Sequence, residues 1–233
     1  ILKPYDGDEL MGLAGTGADY CMGDGSVFVA HENRCHQLDA ATGELVAEFL
    51  TPPRQNDDTA PWGYLAYQNG TLYGSLATPE HIVTYRYVDS SGDMSQLLTE
   101  SSALFAYDVE TSELLWRYDA KDSIRHNAIA IAGETLFLID RPLALYDREK
   151  RPTEKEHPLG LLKALNVATG ETRWAVEEEV FGTTLAVAAE QSVLLMGYQP
   201  TRFRLDSELG GRLAGFNTTS GERLWDIDAA YES

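Results

Sequence analysis

The chain has 233 residues, of which 43% are hydrophobic and 24% charged, enough to bury a large core. Lys and Arg total 18 against 37 Asp and Glu, and the resulting charge of -19 repels phosphate backbones and anionic headgroups, so nucleic acid is not an expected partner. The longest apolar runs, such as Leu185 to Ala189, fall far short of the roughly 18 residues of a spanning helix, and no membrane span is expected.

Residues 1–16 read as the end of a preceding repeat or a linker, in a chain that reads as a segment of a longer protein. Within them, Asp6-Gly-Asp-Glu has the opening of a calcium loop but lacks its distal Glu, and reads as a plain turn. A first unit, about 17–50, then alternates: Gly17 to Met22, a turn at Asp24-Gly25, Ser26 to Ala30, a turn at Glu32-Asn33, and a third strand ending at Asp39. This register puts Cys21 and Cys35 on strands separated by a third, about 10 Å apart, so two free thiols are expected rather than a disulfide.

The end of that unit, Gln37-Leu-Asp-Ala-Ala-Thr-Gly-Glu, recurs without gaps as Ala106-Tyr-Asp-Val-Glu-Thr-Ser-Glu, Ala164-Leu-Asn-Val-Ala-Thr-Gly-Glu and Gly215-Phe-Asn-Thr-Thr-Ser-Gly-Glu. Each copy is a hairpin: a strand ends at Asp39, Asp108, Asn166 or Asn217, whose short side chain caps the turn, and Gly43, Gly170 or Gly221 takes the left-handed position. Ser112 replaces that glycine in the second copy, at a cost of roughly 1 kcal/mol, so this turn is expected to be the least regular. Eight residues after each Asp or Asn stand Ala47, Trp116, Trp174 and Trp225. The units about 62–120, 125–179 and 181–229 repeat the order of the first, with two strands before each motif and one after it. The sequence therefore predicts an all-β protein of four units, each of four antiparallel strands. Small residues in several first strands and aromatics in the last suit a β-propeller, whose blades crowd at the axis and spread at the periphery.

Three units carry insertions between their second and third strands, at about 78–102, 141–161 and 198–211. Strand alternation sends all three to one rim, the side of the links between blades, where long loops on a rigid scaffold suit binding of a protein or small ligand. Arg148, Lys150 and Arg151 in the second insertion and Arg202 and Arg204 in the third are the candidate contacts. His31, His36, His81, His126 and His157 lack zinc spacing, and no nucleophile elbow or phosphate loop is present.

The string from Ala164 to Trp174 resembles the tryptophan-docking motif of pyrroloquinoline-quinone-type β-propellers, and its fourfold repetition extends the resemblance over nearly the whole chain. The resemblance implies a ring of seven or eight blades, of which four are present, so that further blades of the same protein or a second copy would complete it. It also implies that the three tryptophans are structural, packing between blades on the turn of the adjacent repeat. Two functions follow from it: a non-catalytic, periplasmic scaffold without cofactor, or a fragment of an alcohol or sugar dehydrogenase using pyrroloquinoline quinone and calcium. The sequence has no Cys-Cys pair of the kind such dehydrogenases stack on their cofactor, which favours the scaffold.

Overall fold

The computed structural model describes residues 20–54, 58–78, 100–141, 160–197 and 211–228. Strands β1 (Tyr20–Gly23), β2 (Ser26–His31), β3 (Arg34–Asp39) and β4 (Leu45–Leu50) form one antiparallel sheet in chain order. Seven strands make the next sheet: β5 (Trp62–Gln68), β6 (Thr71–Ala77), β7 (Glu100–Asp108), β8 (Leu114–Ala132), β9 (Thr135–Asp140), β10 (Leu161–Asn166) and β11 (Thr172–Val176). Strand β8 serves twice, its first half pairing with β7 and its Ile129 to Ala132 end with β9, so this sheet is two four-strand meanders sharing one long strand. The last sheet holds β12 (Thr184–Ala188), β13 (Val193–Gly197), β14 (Arg212–Asn217) and β15 (Arg223–Asp228).

The turns form as their residues dictate. Asp39 Oδ1 accepts the Ala41 and Thr42 amides, Gly43 sits at φ +72°, and its N–H closes on the Asp39 carbonyl at 2.8 Å. Asn166 with Gly170 and Asn217 with Gly221 build the same turn. Ser112 also adopts the left-handed region, at φ +59°, and Asp108 still caps Thr111. Among the described residues, however, the bond from Ser112 N to the Asp108 carbonyl is not formed. This turn keeps its shape with one bond fewer, as its missing glycine predicts.

Alternation along the strands gives every sheet two apolar faces, and three cores fill the three junctions between successive meanders. Phe28, Cys35 and Phe49 meet Trp62, Leu65 and Phe105 in the first. Leu104 and Trp116 meet Leu136, Leu138 and Leu165 in the second, and Phe137, Ile139 and Leu162 meet Phe181, Leu194 and Phe216 in the third. Each such fully buried side chain contributes about 1.5–3 kcal/mol, so the junctions, rather than any single sheet, hold the chain together. Cys21 and Cys35 are free cysteines on either side of β2, and burial raises both thiols to about 12.

Candidate binding rim

The motif residues occupy the side of the fold that carries the short turns. Trp116 pairs across the strands with Ala106, and Trp174 with Ala164, small partners that leave room for the indole. Each ring reaches forward onto the next unit. Trp116 Nε1 donates to the Val167 carbonyl at 2.7 Å and Trp174 Nε1 to the Thr218 carbonyl at 3.0 Å. A Cβ on Gly170 would come within 2.8 Å of the Trp116 ring, and one on Gly221 within 2.6 Å of Trp174. Trp225 departs from the expectation that all three tryptophans pack between units on the turn of the adjacent repeat. It pairs with Gly215 but is 38% exposed, because no described strand lies beyond β15.

The opposite side carries the bases of the insertions. The central stretches, including Arg148, Lys150, Arg151, Arg202 and Arg204, lie outside the described residues. Thr78 N donates to the Glu100 carbonyl at 3.0 Å, closing the first base, and Arg54, in the link between the first two units, donates to the Ala77 carbonyl beside it. At the second base, the buried Arg141 reaches the Phe181 and Gly182 carbonyls of the link to the last unit, and Gly160 N donates to Val180 O at 2.9 Å. Thr183 N bonds the Gly197 carbonyl at the third. The bases of the insertions thus share their side with the links between units, as strand alternation requires.

Between these bases runs a buried polar collar. Asp140, 2% exposed, accepts the backbone amides of Lys121, Asp122 and Ser123 together with the Tyr118 hydroxyl. Ser123 Oγ donates to Glu100 Oε2 at 2.7 Å, and Ser75, Ser101 and His126 form a chain of contacts at 2.7 and 2.9 Å beneath Gly63. Burying a charged group is costly unless it is hydrogen-bonded, and the four donors that Asp140 accepts fix the backbone around it. The collar escaped the sequence reading, which saw His126 as one of five scattered histidines.

On the turn side, a cavity of about 320 Å³ lies between the last two units, lined by Thr135, Phe137, Arg173, Val187 and Thr218 among others. Arg173 is engaged there with Thr135 Oγ1 at 2.8 Å and Glu134 at 3.4 Å. Among the described residues, no group of three or more His, Cys, Asp or Glu side chains converges to hold a metal. Trp116 and Trp174 are committed to the turns.

A family model described as outer membrane protein assembly factor BamB matches residues 87–232. No curated protein matches. Solved structures with the same fold include a quinohemoprotein alcohol dehydrogenase from Pseudomonas putida HK5, at 15% identity and TM-score 0.56, with 92% of this chain and 34% of that one covered. The quinohemoprotein alcohol dehydrogenase of Comamonas testosteroni is similar at 14% and 0.55, covering 92% and 35%. BamB from Moraxella catarrhalis is similar at 14% and 0.52, covering 93% and 49%. The chain spans a third to a half of these structures, and the likeness establishes the β-propeller fold.

Proposed function

From the premise that this chain belongs to the family described as outer membrane protein assembly factor BamB, we propose that it is a non-catalytic scaffold that binds a protein segment at its loop-bearing rim. The observation that carries this reading is the rim itself: three insertions spring from bases tied to the inter-unit links, over a buried collar built on Asp140, Glu100 and Arg141. A rigid base with long loops is the arrangement by which a scaffold presents variable surface without losing its fold. The acidic body, at -19, repels acidic partners, while Arg148, Lys150, Arg151, Arg202 and Arg204 stand among acidic residues such as Glu149, Glu154 and Asp206, a mixed-charge set suited to a mixed-charge polypeptide. In this reading the protein works outside the cytoplasm, the tryptophans are structural docking residues, and no cofactor is required.

The test presents unfolded outer-membrane barrel polypeptide to the parent chain and to a variant with 147–157 shortened to a tight turn. Binding by the parent, lost in the variant, supports the scaffold. Stoichiometric uptake of pyrroloquinoline quinone and calcium with dye reduction, and no binding of polypeptide, would replace it with a dehydrogenase role.

A further inference from the structure

The three junctions between successive units follow one plan, so matching positions compare directly. Gly23, Gln68 and Ala132 each stand opposite the first residue of the strand that follows them. In the first junction the ring of Tyr67 lies over Gly23, stacks on Phe28 at 5.0 Å and donates its hydroxyl to Asp24 at 2.6 Å. In the second, Gln68 reaches across to donate to the Gly133 carbonyl at 2.6 Å. A bridging polar side chain thus plugs the turn side of both.

The third junction has no such plug among the described residues. Ala132 stands in the place of Gln68 and Val187 in the place of Tyr67, and the cavity of about 320 Å³ opens there. The residue at the docking position's N-terminal side changes with them. Val46 and Leu115, 59% and 43% exposed, precede Ala47 and Trp116, whereas Arg173 precedes Trp174 and lines the cavity. Thr135 Oγ1 at 2.8 Å fixes the guanidinium, and Glu134, 87% exposed and 3.4 Å away, holds it only loosely. Those two bonds leave other N–H donors on the planar fork, and among the lining residues Arg173 alone is charged. A void left by loose packing is lined by apolar groups, but here two bridging side chains are shortened and a cation is added at the same spot.

We propose that this cavity binds a small apolar monocarboxylate, its carboxylate on Arg173 and its hydrocarbon body against Phe137 and Val187. The arginine fork matches a planar carboxylate with two parallel hydrogen bonds, which a single point charge does not. Phe137, 1% exposed, gives the body an aromatic wall, while Thr135, Thr218 and Thr219 add polar atoms to the lining. The volume is at the small end of the roughly 300–1,000 Å³ of ligand sites, so one ring or a short branched chain is the expected occupant. A body charged at -19 repels anions at large, so saturable binding of an anion points to a built site rather than to the surface in general. The cavity lies on the turn side, away from the bases of the insertions, and stands or falls separately from the rim.

The experiment is a ligand-observed NMR titration of the parent chain, Arg173→Leu and Ala132→Gln with benzoate and with its uncharged counterpart benzamide. About 0.15 M KCl screens charges beyond about 8 Å and leaves a direct contact in place. Each variant installs the side chain that the second junction carries at the same position, Leu115 or Gln68, so the fold is kept, which circular dichroism and Tm verify. The expected result is saturable binding of benzoate by the parent with a Kd of about 1 mM or lower. Benzamide, and benzoate on Arg173→Leu, should bind at least about 10-fold more weakly, as for loss of a charge-assisted hydrogen bond. Ala132→Gln, which restores the plug, should weaken benzoate by at least about 10-fold as well. No saturable binding of benzoate, equal affinity for benzamide, or an affinity for benzoate that either variant leaves unchanged would overturn the proposal.

Discussion

The indole of Trp116 lies on the α-carbon of Gly170, so close that a single added methyl group would meet the ring at 2.8 Å. The matching position one junction earlier is different on both sides: Ala47 stands where the indole would be, and Ser112 where the glycine would be. With no ring at position 47, nothing requires a glycine at position 112. What remains at Ser112 is the backbone cost of a left-handed residue without the clash.

Gly170→Ala and Gly43→Ala separate these two costs. Both place an L-residue in the left-handed region, at roughly 1 kcal/mol. At Gly43 that is the whole effect, because its Cβ meets nothing within 4 Å. At Gly170 the Cβ also strikes Trp116, and overpacking adds roughly 1–3 kcal/mol. Urea denaturation should therefore show Gly170→Ala as the more damaging by more than about 1 kcal/mol. Equal losses would mean the ring yields without cost.

Rebuilding the missing joint makes a double-mutant cycle. Ser112→Gly alone should stabilise by up to about 1 kcal/mol through relief of strain. Ala47→Trp alone should destabilise, since the new ring would meet the Ser112 Cβ and the Gln37 side chain that pairs opposite it. Together they should show a favourable coupling of about 1–2 kcal/mol, within the range for residues in contact. Additive free energies would show that the first junction is set by other contacts, such as Tyr67 stacked on Phe28 at 5.0 Å.

Much of this architecture is legible in the sequence because its signals are local. An Asp or Asn with Gly four residues on fixes a turn wherever it occurs, and the position eight residues on falls on the following strand at a fixed register. The collar is not legible, since Asp140 caps amides 17 to 19 residues away and Arg141 reaches a carbonyl 40 residues away, through irregular links without periodicity. The packing of Trp62, on the first strand of the second unit, is not legible for a related reason. It lies outside the repeated motif, yet it is 6% exposed and fills the space over Gly74, where a Cβ would come within 2.2 Å of its ring.

Acid should destabilise the chain through two of its four turns. The Thr42 amide, the Thr42 hydroxyl and the Ala41 amide hold the Asp39 carboxyl below its usual range, and the Thr111 amide and hydroxyl do the same for Asp108. A carboxyl whose folded pKa is depressed contributes stability that is complete above its unfolded value, about 3.9, and is lost as pH falls through the folded value. Asn166 and Asn217 cap the other turns without a titrating group. The variant Asp39→Asn, Asp108→Asn should thus lose less stability than the parent between about pH 5 and pH 2. Identical pH profiles in thermal melts would place the acid sensitivity elsewhere, for instance at Asp226, held low by Arg212.

The rim should divide into a base that carries stability and loops that do not. Asp140 is buried and satisfies three consecutive backbone amides, so Asp140→Ala leaves those donors without their acceptor at about 1–3 kcal/mol each, less whatever water recovers. A net loss of about 3 kcal/mol corresponds to a fall in Tm of roughly 6–12 °C for a chain of this size. Shortening 147–157 removes none of those bonds, and its Tm should stay within about 2 °C of the parent, as for changes away from the core. If both variants bind unfolded barrel polypeptide poorly but only Asp140→Ala melts early, the base positions the loop and the loop makes the contact. A shortened loop that melts as early as Asp140→Ala would mean that the insertion itself packs onto the collar, and the rim would then be part of the core rather than a surface it supports.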